Sequence, residues 1–223
     1  MFLVRSLLVT IVAHGLGMVS MVLWLLPGMP GGGATDDATR VAYIAAHPWL
    51  WRLGWIPWQL TALSDLLLAA ALLRTPGVPR QAAIFTLVVT MVAIVPDQYG
   101  QLAWVTKGIA LASADPIAYL SYEKAIFEST AVWGAVFYTI GALGWTWCLV
   151  RAGIWNRVLT CLSFVLWPLF GLAATGPLLA LDPRVVAASN ALGFVLLQLW
   201  FVLVARIALH RQTKISDRTR QNV

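Results

Sequence analysis

The sequence predicts an all-α integral membrane bundle of six transmembrane helices, and three observations carry that expectation. Apolar residues make up 60% of the chain and charged ones only 11%, with a mean hydropathy of +0.80, well outside the range of soluble domains. The apolar residues fall in runs near the length of about 20 that a helix needs to cross roughly 30 Å of hydrocarbon, unlike the alternating segments of an outer-membrane barrel. Helices also satisfy every backbone polar group within their own segment, as the bilayer core demands.

Taken in order, the spans fall at 3–26, 50–73, 82–104, 126–150, 156–179 and 185–208, each bounded by charge, Pro or Gly. Connections 27–49 and 105–125 are long and carry the acids, whereas 74–81 (RTPGVPRQ) and 151–155 (RAGIW) are short and basic. With an even number of spans, the two termini and the short connections share one side. That side holds Arg5, Arg74, Arg80, Arg151, Arg157, Arg206, Arg211, Lys214, Arg218 and Arg220. On the other side Arg40, Arg52, Lys107, Lys124 and Arg184 are matched by Asp36, Asp37, Asp115, Glu123 and Asp182. The positive-inside rule therefore predicts cytoplasmic termini. Residues 1–208 read as a single transmembrane domain and 209–223 as a basic cytoplasmic tail, suited to anionic head groups. A topology signal accounts for the pI of 9.8, so no nucleic-acid partner is expected.

The first span, with Arg5 ahead of it, is longer than the 7–15 apolar residues of a signal peptide and reads as a retained anchor. Cys148 and Cys161 lie toward the cytoplasmic ends of their spans, where the compartment is reducing, and read as packing thiols. In the connection 27–49, Thr35 and Asp36 can cap a short helix with Val41, Ile44 and Ala45 on one side, an amphipathic element on the external face. Trp49, Trp51, Trp55 and Trp58 then suit an interfacial aromatic belt, with an aromatic ligand mouth as the alternative.

Polar residues inside the spans are the candidate site, because burying an ionisable group in hydrocarbon costs a few kcal/mol on insertion scales. In AIVPDQYGQLAW, residues 93–104, Asp97 and Gln101 share a helix face if the third span continues through Pro96; the alternative is a helix that ends at Val95. Depth at about 1.5 Å per residue puts Glu128 and Asn190 in a similar outer layer. Asp97, Gln101, Glu128 and Asn190 are thus the expected ligand-binding set, with Asp97 and Glu128 the candidate catalytic acids. His14, about 13 Å from the cytoplasmic side, and Asp65, about 12 Å from it, form an inner polar pair if the first two spans are neighbours, with Gln198 and Ser163 at similar depth. The histidines His14, His47 and His210 occupy different settings, and no phosphate loop, GxSxG or HExxH occurs, so no cofactor and no metal site are expected.

The stretch DDATRVAYIAAHPWLWRLGWIPWQLTALSDLLLAAALLRT, residues 36–75, resembles a family of small bacterial multi-pass membrane proteins labelled a domain of unknown function. The shared features are Asp37, Arg52-Leu53-Gly54 and Asp65; RAGIWNRVLT, residues 151–160, is a second, degenerate similarity, with Asn156 for a Pro and Thr160 for a Gly. This resemblance implies a six- or seven-helix membrane fold without an assigned activity, located in a bacterial cytoplasmic (inner) membrane. Three functions then compete: binding of a small or lipid-like molecule in an outer polar cavity, an intramembrane enzyme acting on a lipid or isoprenoid with a buried general acid, and proton-coupled transport of a small solute through Asp65, His14 and Asp97. The expected partners are the bilayer, a lipid or small-molecule ligand, and a second copy or accessory subunit over the small-residue face Gly134, Tyr138 and Gly141.

Overall fold

In the computed structural model, which describes residues 1–32 and 36–221, six helices are long and apolar enough to cross a membrane. The first joins α1 (Phe2–Ser20), a π-helical turn (Met21–Leu25) and a 3-10 turn (Leu26–Gly28). A short helix α2 (Asp37–Ala46) precedes the second span, α3 (Pro48–Leu72). The third joins α4 (Arg80–Ala103), a π-helical turn (Trp104–Gly108) and α5 (Ile109–Ala114). The fourth joins α6 (Pro116–Phe127), a π-helical stretch (Glu128–Gly134) and α7 (Ala135–Arg151). Helices α8 (Arg157–Thr175) and α9 (Pro183–Gln221) complete the set. The basic tail continues α9 as helix, and Thr35, one of the expected caps of α2, lies outside the described residues.

Each helix packs on its successor in the chain, and α9 closes back on α1, so the bundle is a ring in sequence order. Neighbours run antiparallel. Thr10 hydrogen-bonds the Ser64 carbonyl (3.2 Å) while Leu25 fills the space beside Gly54. Between α4 and α7, Thr86 abuts Gly144, Thr90 abuts Gly141 and Asp97 abuts Gly134. The small-residue face Gly134, Tyr138 and Gly141 is thereby packed against the third span of the same chain, with Tyr138 reaching Asp97. Small residues let two helices approach closely where lipid supplies no hydrophobic drive between them.

Residues 105–125, expected as a connection, are helical except at Asp115. The chain turns there on a single residue: the Asp115 carboxylate accepts from the Ala118 amide (3.0 Å), and Pro116 takes the first helical position, where its missing N–H costs nothing. Lys107, Glu123 and Lys124 made the segment read as loop, but they extend the helices beyond the apolar slab. At 35 and 36 residues the third and fourth spans are about 52 Å long, some 20 Å more than hydrocarbon thickness. Their extensions stand at the end of the bundle opposite the termini and form, with α2, a helical cap.

Two apolar cores result. One, toward the termini, gathers Leu7, Leu68, Leu72, Trp145, Leu149 and Trp200 among others. The other, under the cap, gathers Leu25, Val41, Ile44, Trp51, Trp55, Trp104 and Tyr119. Asp36 caps α2 by accepting from the Thr39 amide (2.7 Å), and Val41 and Ile44 point into the bundle. Trp51 and Trp55 are core residues, which corrects their reading as belt anchors; only Trp49, 70% exposed, suits a bilayer surface. Helical spacing turns 51, 55 and 58 to one face, and Trp55 stacks on Trp104 with centroids 4.9 Å apart.

The third and fourth spans touch most closely at Gly100, where an added methyl would collide with Thr130 Cγ2. Gly100→Ala is expected to lose about 1–3 kcal/mol of stability by overpacking, read as a lower unfolding midpoint in detergent. Adding Thr130→Ala should recover part of the loss. An unchanged midpoint in the single variant would show that this contact is slack.

Candidate polar site between the two cores

Between the cores every one of the first four spans carries polar side chains: Thr10, His14 and Ser20; Gln59, Thr61, Ser64 and Asp65; Asp97, Gln98 and Gln101; Thr130 and Tyr138. Most are buried. Serines and threonines return their hydroxyls to backbone carbonyls of their own helices, as with Ser6, Ser20, Ser64, Thr86 and Thr90. The carboxyl, amide and imidazole groups have no such local solution and meet across helices instead.

Helix α4 runs unbroken through Pro96 to Ala103, so the alternative of a helix ending at Val95 does not hold. Asp97 is thereby fixed one turn before Gln101 on the inward face. Gln101 Nε2 lies 2.9 and 3.0 Å from the two Asp97 oxygens, Gln98 Nε2 donates to Oδ2 (3.2 Å) and the Tyr138 hydroxyl approaches Oδ2 at 3.4 Å. The Gln59 amide of α3 donates to Gln101 Oε1 (2.6 Å), orienting the Gln101 amide with its N–H groups toward Asp97. Nearby, Ser129 Oγ donates to the Pro96 carbonyl (3.0 Å), tying the π-helical stretch of the fourth span to the proline in the third. π-Turns concentrate at functional sites because they aim side chains off the regular helical phase.

Two of the four expected binding residues are not in this cluster. Glu128 and Asn190 are exposed and hydrogen-bond to none of its members. Depth fixed their height but not their azimuth: around Glu128 the inward positions are Glu123, Ile126, Thr130 and Gly134, and around Asn190 they are Val186, Ser189 and Leu197. Gln59, Gln98 and Tyr138, none of them expected as binding residues, complete the cluster in their stead. Gln59 and Tyr138 were legible in principle, since antiparallel sequential neighbours set Gln59 against Gln101 and Tyr138 near Asp97.

His14 and Asp65 do meet, with Nε2 and Oδ1 3.7 Å apart and both side chains buried. His14 Nδ1 lies 3.0 Å from the Thr10 carbonyl, which can only accept, so Nδ1 carries the hydrogen. Nε2 of a neutral ring then turns a lone pair toward a carboxyl oxygen that has no other partner. A proton on either atom relieves that opposition; a neutral imidazole beside a carboxylate does not. Phe194 and Phe201 pack on the imidazole, at centroid distances of 6.1 and 5.4 Å. Gln198 donates to the Ile11 carbonyl (3.0 Å), and Ser163 accepts from the Trp200 indole (3.0 Å), so neither joins the pair directly. Asp65 is close enough to Asp97 for their charges to interact, and the Tyr138 hydroxyl feels both carboxyls.

At 3.7 Å the His14–Asp65 contact is too long for a strong hydrogen bond. His14→Leu and Asp65→Leu are each expected to leave the protein folded, and a double-mutant cycle on the unfolding midpoint should give a coupling under about 1 kcal/mol. A severe single-variant penalty that the double variant rescues would identify the pair as helix glue.

A second polar cluster lies in the cap. The Arg40 guanidinium reaches both oxygens of Glu123 (2.7 and 2.7 Å), Asp37 Oδ1 (2.8 Å) and the Gly28 carbonyl (3.0 Å), and Tyr119 donates to Glu123 (2.9 Å). Burial works against the Arg40 charge, but Glu123 and then Asp37 outweigh it and hold the group above its usual range. The two buried charges, Arg40 and Glu123, are matched within the cluster, which makes it a clasp between α2, α6 and the end of the first span. Cys148 is buried with its sulfur 3.8 Å from Thr86 Oγ1, and Cys161 is exposed; both are free thiols. Among the described residues no group of histidines, cysteines and acids could hold a metal ion.

Comparison of the chain with protein-family models, curated proteins and solved structures finds no match. Asn156 caps α8 by accepting from the Leu159 amide (2.9 Å), and Thr160 accepts from the Trp155 indole (2.8 Å).

Proposed function

We propose that this polytopic membrane protein binds a small or lipid-like molecule with a cationic head at the half-buried Asp97, with Gln98, Gln101 and Tyr138 completing the site. One observation carries the reading. Asp97 is surrounded by neutral donors and, among the described residues, pairs with no Lys, Arg or His. Donors of that kind orient a carboxylate without cancelling its charge, and in a medium of low dielectric the balancing charge comes from a ligand or a proton. The nearby Asp65 adds to the demand. The basic connections favour placing the termini on the cytoplasmic face of a bacterial inner membrane and the cap outside, which puts Asp97 in the outer half, about 26 Å from Arg80.

The test uses two probes with one chain length, dodecylamine and dodecanol, offered to the purified protein and counted as retained adducts by native mass spectrometry. Retention of the amine over the alcohol is expected. Equal retention would overturn the reading.

A second reading, proton-coupled transport, is favoured by the His14–Asp65 contact and its electrostatic link to Asp97, because a chain of titratable groups spanning two depths is what a relay needs. It predicts acidification of liposomes on solute addition, abolished in Asp65→Asn.

A further inference from the structure

We infer that the groove between α4 and α7 near the termini is a site for one anionic phospholipid, separate from the Asp97 cluster. The groove has a volume of about 400 Å³ and is lined by Ala82, Phe85, Thr86, Leu143, Gly144 and Trp147 among others. Its shape follows from the sequence: Ala82, Thr86 and Gly144 are too small to fill the valley between the two helices, whereas the exposed Phe85, Leu143 and Trp147 raise its walls. Such a trough on the outer surface of a membrane bundle accepts an acyl chain.

Charge selects the head group. The register that sets Thr86 against Gly144 and Thr90 against Gly141 brings Arg80, the first residue of α4, level with Arg151, the last of α7. Both arginines are exposed, and neither pairs with a carboxylate among the described residues. The Arg151 guanidinium lies 6.0 Å from the Trp147 ring centroid, over a wall of the groove itself. Arg211 of α9 adds a third cation at this end, its guanidinium resting beside Gly153. An apolar trough with unpaired guanidinium groups at its mouth matches a molecule with a fatty chain and a phosphate, and two arginines can share the phosphate oxygens. A net-neutral head group would bring its own cation to this rim, so a lipid with net negative charge is preferred.

The experiment presents the delipidated full-length protein with equimolar palmitoyl-oleoyl phosphatidylglycerol and phosphatidylcholine and counts retained lipid by native mass spectrometry. One phosphatidylglycerol should be held over phosphatidylcholine by about 25-fold, at roughly a factor of five for each of two cations. In Arg80→Gln/Arg151→Gln, changes at exposed positions, the ratio should fall toward one. In Ala82→Phe, which fills the trough and leaves the arginines, total retention should fall. Equal retention of the two lipids by the wild type, or an unchanged ratio in the arginine variant, would overturn the site. Undiminished retention in Ala82→Phe would do so too, by reducing the effect to general surface charge.

Discussion

Replacing Arg40 by methionine is expected to lower stability by about 3–5 kcal/mol, the usual cost of stranding one member of a buried ion pair. Arg40 and Glu123 are each about 5% exposed, and the guanidinium bridges α2, α6 and the Gly28 carbonyl at the end of the first span. Its loss leaves a buried carboxylate with only the Tyr119 hydroxyl as donor. Glu123→Leu should cost less, because Asp37 remains beside Arg40 and its side chain reaches solvent. The double variant Arg40→Met/Glu123→Leu should be more stable than Arg40→Met alone, since an apolar pair in an apolar setting leaves no charge unpaired. Thermal unfolding midpoints in one detergent decide the matter. A Glu123→Leu variant as stable as the wild type, with the double variant no better than Arg40→Met alone, would mean that Arg40 acts through its contact with Gly28 and not through the pair.

Asp97→Asn should weaken retention of dodecylamine by about 10–150-fold, the equivalent of the 1.5–3 kcal/mol that a hydrogen bond to a charged group contributes. The change keeps the size of the side chain and an acceptor for Gln101, and its new N–H₂ can donate to the Tyr138 oxygen. The unfolding midpoint should therefore stay near that of the wild type, and dodecanol retention should not move. Asp97→Leu is a different perturbation: it leaves the Gln101 and Tyr138 donors unpaired and should cost about 1–3 kcal/mol of stability. If Asp97→Asn itself unfolds the protein, the carboxylate holds the bundle together and the binding role is wrong.

The spans were legible because runs of apolar residues near 20 report hydrocarbon thickness directly, whatever their neighbours do. His14 with Asp65, and Asp97 with Gln101, were legible for a related reason: helical rise gives height and an i,i+4 spacing gives a shared face. Azimuth was not. Glu128 begins a π-helical stretch, where the phase of the wheel shifts, and it ends on the outside. The clasp was hidden because Arg40 and Glu123 stand 83 residues apart, and each reads alone as an ordinary surface charge. Lys107, Glu123 and Lys124 disguised residues 105–125 as loop, when the helices merely continue past the slab. Gln59 carries no formal charge and Tyr138 read only as part of a small-residue face, so neither joined the site before the register was known.

Closure of the ring by its first and last spans has a consequence for biogenesis. Helices that neighbour each other in the chain can pair as they leave the insertion machinery, but the seam between α1 and α9 waits for the final crossing. His14 sits on that seam, covered by Phe194 and Phe201, and Gln198 fastens it through the Ile11 carbonyl. Until the sixth crossing arrives, one flank of the imidazole faces lipid or a chaperone. Truncation before residue 194 therefore leaves the His14 imidazole without the two rings that cover it and the first span without its Gln198 fastening.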